Sequence, residues 1–154
     1  MINLDSKDVA LLATLQKNAQ FSATDLADVL GMSVSQIGRR KQRLEAEGYI
    51  ESTPMRLNAT LLGLDVQAFI QIQTNSQTEQ THASIISLIS QHPEIVAAWT
   101  LTGEADYIFR VFCNDLSSLN SLVQKNLLPH PAIGRVQSQI VMDQLKDDTA
   151  LPLK

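Results

Sequence analysis

The sequence predicts an α+β chain in two parts, an N-terminal winged helix-turn-helix followed by a ferredoxin-like βαββαβ domain. Three observations predict it. Three short, separately capped helical segments succeed one another up to Gly48. The last of these carries four cations and no acid between Ser33 and Leu44. Beyond residue 64 the pattern changes to alternating strands interleaved with two amphipathic helices, in the order strand, helix, strand, strand, helix, strand. The predicted boundaries are 1–57 for the first domain, 58–64 for a linker and 65–154 for the second domain.

Each helix of the first domain announces its own start. Asp5 is an N-cap with Asp8 at the third helical position, Leu4 faces Val9 as a staple, and Val9, Leu12 and Leu15 supply the buried stripe. Phe21, Ser22, Asp25 and Leu26 repeat the same grammar, with Leu26, Ala27 and Leu30 facing inward and Gly31 as the stop. Only Gly31 and Met32 separate that stop from the next cap, Ser33, whose box partner is Gln36. Met32 and Ile37 form its staple, and Gly48 supplies the left-handed exit. Two helices joined by so tight a glycine turn are a helix-turn-helix. Residues 49–52 and 55–57 flank Thr53-Pro54 and predict a small β-wing.

In the second domain, residues 65–73 alternate, with Val66, Ala68, Ile70 and Ile72 on one face and Phe69 among glutamines on the other. Residues 78–91 form a helix with Ile85, Ile86 and Ile89 inward, ended by His92-Pro93. Residues 95–102 and 107–113 are strands joined across Gly103-Glu104-Ala105-Asp106. Residues 115–127 repeat leucine at helical spacing, and 136–145 form the last strand. Both helices would cover one sheet face. The other face, with Phe69 and Trp99, is a predicted surface for a second copy.

Composition limits the function. No apolar run approaches the roughly 18 residues of a membrane span, and the acidic helix start at the N-terminus is unlike a signal peptide. A single cysteine, Cys113, in an apolar alternating stretch suits inert strand packing in a reducing cytoplasm. The net charge of −4 is unevenly placed. Seven Lys/Arg balance seven Asp/Glu up to Thr60, and five face nine from Leu61 onward. Such a chain cannot coat nucleic acid, but it can present one focused patch.

That patch is the third helix. Measured at 100° per residue from Ile37, Leu44 falls on the same line, while Ser35, Arg39, Gln42 and Arg43 point away. Guanidinium and amide groups there suit purine edges and phosphates in a DNA major groove, with Ser33 and Gln36 nearby at the helix start. Arg40 flanks the buried stripe, where it either meets DNA or pairs with an acid of the first helix. Lys41, about 40° from Ile37, can pack its stem and keep its ammonium wet. Gly38 costs up to about 1 kcal/mol inside a helix and either permits close approach to DNA or has no role. Arg56 in the wing is a further phosphate contact. The second candidate is the loop Leu101, Thr102, Gly103, Glu104, Ala105 and Asp106. Its glycine turn exposes N–H groups for a carboxylate and Asp106 can accept from an ammonium; alternatively the loop only makes the turn. Catalytic motifs and metal-ligand spacing are absent, and His82, His92 and His130 are dispersed.

The chain resembles the Lrp/AsnC (feast/famine) family of transcription regulators over nearly its whole length. Leu4-Asp5 with Asp8, Leu12 and Leu15-Gln16 is similar to the family's first helix. Leu26-Ala27 and Gly31-Met32-Ser33-Val34-Ser35 match its helix-turn-helix, and Arg39-Arg40, Leu44-Glu45 and Gly48-Tyr49-Ile50 its recognition helix and exit. Thr102-Gly103-Glu104-Ala105-Asp106-Tyr107 fits the family's T-G-x-x-D-Y loop, and Ile133-Gly134-Arg135-Val136 with Ile140-Val141 and Leu145-Lys146 fits its tail. The resemblance implies a RAM-type second domain and a cytoplasmic, non-enzymatic regulator of imperfectly palindromic double-stranded DNA. It also implies homodimers that assemble to octamers, no cofactor, and an amino-acid effector between subunits with Asp106 as ammonium partner. Two alternatives share the architecture: a sirohaem-decarboxylase-like enzyme and an effector-free protein that wraps DNA. The enzyme would need basic and histidine groups converging on a tetrapyrrole, and the second domain offers Arg110, Arg135 and scattered histidines.

Overall fold

The computed structural model describes residues 4–147 and 150–153. Residues 1–3, 148, 149 and 154, which the predicted domain boundaries include, lie outside the described residues. The chain divides into two compact units, one of Met1–Arg56 with Leu145–Lys154 and one of Leu57–Gln144.

The helical unit contains α1 (Ser6–Lys17), α2 (Ala23–Leu30) and α3 (Val34–Ala46). All three start in capping boxes, formed by Asp5 with Asp8, Ser22 with Asp25, and Ser33 with Gln36. These reciprocal bonds satisfy amide groups that a helix start otherwise leaves without partners. Gly31, with φ 61°, stops α2. At the end of α3, Gly48 at φ 78° lets its own N–H reach Glu45 O (3.1 Å) and the Tyr49 N–H reach Leu44 O (2.8 Å). That is a Schellman closure, and a β-carbon at Gly48 would be strained there. Leu11, Leu12, Leu26, Ala27, Met32, Ile37 and Leu44 form the core. Leu11, not Val9, sits at its centre; Val9 is only half-buried. The inward stripe of α1 runs Asp8, Leu11, Leu12, Leu15, because the Asp8 carboxylate is drawn inside.

The predicted β-wing does not form. Residues 50–58 carry no strand, and Met55 and Leu57 stay exposed. A two-stranded ribbon is marginal alone, and this one contains Pro54, which has no N–H to pair, and only Ile50 packs on the core. After residue 144 the chain belongs to the helical unit again, where Leu151 exchanges two bonds with the Gln16 amide (2.6 and 3.3 Å).

The sheet unit opens with a 3-10 turn, Thr60–Leu62, in which the Leu61 N–H donates to Asn58 Oδ1 (3.0 Å) of the predicted linker. It then runs β1 (Val66–Thr74), α4 (Glu79–Gln91), β2 (Ile95–Thr100), β3 (Tyr107–Cys113), α5 (Leu116–Ser121) and β4 (Ile133–Ile140). The strand order β2-β3-β1-β4 is antiparallel throughout, the βαββαβ topology expected. Ala68, Ile70 and Ile72 pair across from Val111, Phe109 and Tyr107 on the inner face, which α4 and α5 cover with Ile85, Leu88, Leu119, Leu122 and Leu127. Cys113 is buried in this core, and burial raises its thiol pKa, as suits inert packing.

Three details depart from expectation. Ile86 is exposed and Leu88 buried, because α4 turns Thr81, Ile85 and Leu88 inward. The second predicted helix widens into a π-helical turn over Leu122–Leu127. Five residues apart, Leu122 and Leu127 would diverge on an α-helix; the wider turn lets both reach the core. Strand β4 starts earlier than predicted and ends at Ile140, short of residue 145.

The outer sheet face is set by register. Gln67, Phe69, Gln71 and Gln73 of β1 neighbour Phe112, Arg110 and Ile108 of β3 and Gln139, Gln137 and Arg135 of β4. Trp99, half exposed, lies beside Ile108, and the Arg110 guanidinium stacks 5.3 Å over the Phe112 ring.

Candidate nucleic-acid interface and ligand cleft

Helix α3 buries Ile37 and Leu44 completely and leaves Ser35, Gly38, Arg39 and Gln42 exposed on the opposite side. The residues at its start are already engaged. The Ser33 N–H donates to Gln36 Oε1 (3.0 Å), the Gln36 N–H donates to Ser33 Oγ (3.3 Å), and Ser35 Oγ lies 3.1 Å from Ser33 Oγ. Gln36 therefore keeps its amide N–H2 for a ligand.

The arginines divide differently from the prediction. Arg40 Nη1 donates to Asp5 (2.7 Å) and Asp8 (2.6 Å), the acid-pairing option of the sequence reading. Arg43, expected to point outward, is half-buried and donates through Nη2 to Asp8 at 2.5 Å. The reason is Asp8 itself: its side chain is 1% exposed, and a buried carboxylate needs cationic partners. Burial pushes the Asp8 carboxyl up, but the Asp5 N–H and the two guanidiniums outweigh it and hold the pKa low. Hydrogen bonding to Asp8 raises that of Arg43, and bonding to Asp5 and Asp8 raises that of Arg40. Lys41 is half-buried with its ammonium 3.9 Å from Glu45. Arg39 makes no ion pair among the described residues. It is the cation of α3 that is free to meet a ligand, beside the Gln42 amide and the Ser35 hydroxyl. Val34, on the first turn of α3, is exposed as well.

The predicted effector loop lies at two places. Leu101 and Asp106 line a cleft of about 490 Å3 with Thr74, Gln77, Thr78, Glu79, His82, Ala83, Ile86, Thr100 and Tyr107. Glu104 and Ala105 line a separate shallow depression with Arg135, whose Nη1 is 3.4 Å from Glu104 Oε1. Thr102 and Gly103 line neither, and Gly103 makes the hairpin turn at φ 121°.

Asp106 is fixed from several sides. Its Oδ2 accepts from the Thr74 N–H and hydroxyl, its Oδ1 from Gln77 Nε2, all at 2.7 Å, and its own N–H donates to Ile72 O. The Thr74 N–H first, then its hydroxyl, hold this carboxyl below its ordinary pKa range. Opposite, His82 Nδ1 lies 3.0 Å from the Tyr107 hydroxyl, and the two rings stack 6.0 Å apart. Burial, with the Asp106 charge, raises the Tyr107 pKa. The contribution of α4 to this cleft was missed; its signal was Glu79, His82, Ala83 and Ile86 at helical spacing opposite the buried stripe. Among the described residues no cluster of three His, Cys, Asp or Glu could hold a metal, and no helix is long and apolar enough to cross a membrane.

Comparison with known proteins gives these sites a setting. Residues 67–151 match the Lrp/AsnC ligand binding domain and residues 4–45 the AsnC-type helix-turn-helix domain. The HTH-type transcriptional regulator Zrp of Zymomonas mobilis is 32% identical, covering 97% of each chain. The transcriptional regulator AzlB of Bacillus subtilis is 30% identical over 99% of this chain and 97% of its own. The DNA-binding transcriptional activator DecR of Escherichia coli is 28% identical over 98% and 99%. A Neisseria meningitidis transcriptional regulator solved as its L-Met complex superposes with a TM-score of 0.92, at 28% identity and 97% coverage of each chain. These relatives are regulators of transcription, not enzymes, and the decarboxylase alternative is set aside with them.

Proposed function

We propose, for a chain that belongs to the Lrp/AsnC family of DNA-binding transcription regulators, that α3 reads an imperfectly palindromic operator and that a small amino acid in the Asp106 cleft modulates the binding. The observation that carries the DNA half is the outward face of α3: Ser35, Arg39 and Gln42 exposed together on a helix held by a glycine turn. Arg39 and Gln42 supply the donors that read bases, with Ser33, Ser35 and Gln36 placed at the helix start for phosphates. Arg40 and Arg43 reach the backbone only with the part of each guanidinium that Asp8 leaves unused.

A near-neutral helical unit binds weakly in one copy, so the proposal includes a homodimer whose two α3 helices enter successive major grooves about 34 Å apart. The outer sheet face, with Phe69, Trp99, Phe112 and Ile108, is the surface proposed to join the copies, and further pairing of dimers gives an octamer. The protein acts in the cytoplasm. An effector shifts such an assembly only by binding one arrangement more tightly than another.

The cleft supports the amino-acid half by size and by chemistry: it is the volume of a small-molecule site, with an apolar rim and an anionic wall. Genome-wide selection of bound DNA, with and without an amino-acid mixture, tests both halves. A palindromic consensus whose occupancy changes with amino acids is expected. Binding without sequence preference would favour the DNA-wrapping alternative.

A further inference from the structure

Helix α4 serves two surfaces. Thr81, Ile85 and Leu88 are buried against the sheet, whereas Glu79, His82, Ala83 and Ile86 line the cleft. The charge of the cleft is one-sided: it holds the carboxylates of Glu79 and Asp106, and among the described residues no lysine or arginine lines it.

The two carboxylates are not equivalent. Asp106 already accepts three hydrogen bonds from Thr74 and Gln77, which takes most of the roughly four acceptor positions of a carboxylate. Those bonds fasten the hairpin to the end of β1. Glu79 stands at the first position of α4, its carboxylate makes no hydrogen bond or ion pair among the described residues, and it shares the cleft wall with the exposed Ile86 side chain and the stacked His82–Tyr107 rings.

From this we infer that Glu79, not Asp106, is the anion that pairs with the cationic group of the ligand, and that the cleft takes small amines with a neutral or basic, largely apolar body. The inference rests on the effector reading above and deepens it. An α-ammonium meets an uncommitted carboxylate at Glu79, and an aliphatic, thioether or aromatic side chain lies against Ile86, Leu101 and the ring stack. A monocarboxylic amino acid brings one carboxylate and a dicarboxylic one brings two, beside Glu79 and Asp106 and with no lysine or arginine among the described lining residues to receive them, so the dicarboxylic one is selected against. Asp106 becomes a positioning residue that sets the cleft's shape.

The test is calorimetric titration of the full chain with L-methionine, L-leucine, L-lysine and L-glutamate. At least one of the first three is expected to bind and L-glutamate to fail. Glu79→Gln should weaken the binding about ten- to a hundredfold without changing the circular dichroism, and Glu79→Asp should restore part of it. Ala83→Trp, which fills the cleft, should abolish it. Unchanged affinity in Glu79→Gln, with binding lost in Ala83→Trp, overturns the role of Glu79 while leaving the effector reading intact. L-Glutamate binding as tightly as the others overturns the charge selection. A silent panel, or binding that survives Ala83→Trp, overturns the effector reading of this cleft and the inference with it.

Discussion

Arg43 of the third helix turns back to Asp8 of the first, its Nη2 2.5 Å from a carboxylate oxygen on a side chain that is 1% exposed. With Arg40 on the other oxygen, two of the four cations of the proposed reading helix serve an internal anion. Removing one partner of a buried charge cluster leaves the others unpaired. Asp8→Asn should therefore cost roughly 2 kcal/mol in urea denaturation. The same substitution frees guanidinium groups, so non-specific DNA affinity should rise with a steeper salt dependence. Unaltered stability would remove Asp8 from the centre of the fold.

Acid sensitivity follows from the same carboxylate. The folded pKa of Asp8 lies below its ordinary 3.8, and those of Asp5 and Asp106 are also lowered. A carboxyl with a depressed folded pKa contributes stability that is present above 3.8 and is lost as pH falls through the lower folded value. Unfolding monitored by circular dichroism should begin below about pH 4, and Asp8→Asn should flatten that dependence relative to the parent.

Arg39 and Arg43 should separate. Arg39→Ala removes an exposed side chain and should lower specific DNA affinity about ten- to a hundredfold with no shift in Tm. Arg43→Ala should lower both Tm and DNA affinity. Gel-shift titration beside thermal unfolding distinguishes the two, and a silent Arg39→Ala would sink the assignment of α3 as the reading element.

Gly38 lies on the exposed side of α3, and a β-carbon built there meets nothing within 4 Å. Gly38→Ala should raise stability by up to about 1 kcal/mol. If DNA closes on this side of the helix, the same methyl group reduces specific affinity, and equal affinity in a competition gel shift would leave the glycine without a role in binding.

Phe69 sits opposite Arg110 on the outer sheet face, in the middle of the surface proposed to join copies. Phe69→Arg should convert the protein to a smaller species in light scattering coupled to gel filtration. An unchanged mass would move the interface elsewhere.

The sequence was legible where structure is local. The three capping boxes, Gly31 and Gly48 depend on residues within a few positions of one another and form as read, and the hairpin at Gly103 forms with its first strand ending at Thr100 rather than at residue 102. The alternation of Ala68, Ile70 and Ile72 was legible because strand period and burial coincide. What was not legible depends on partners distant in the chain. Asp8 looked like a cap residue; that it also receives Arg40 and Arg43 is decided by how α1 and α3 pack. Ile86 and Leu88 both fit an apolar stripe, and the position of the sheet chose Leu88. Glu79 and His82 carry no local signal of a shared site; the topology sets them beside Asp106 and Tyr107.

Asp106 ties the β2–β3 hairpin to the end of β1 through Thr74 and to the following loop through Gln77. Three segments are thereby locked to one another before any ligand arrives. The Asp106 side of the cleft is therefore ordered in advance, so that part of the wall adds no ordering cost to ligand binding. On the effector reading proposed above, a ligand would act through the exposed rim, Ile86 and Leu101, by changing what that rim offers to a neighbouring molecule.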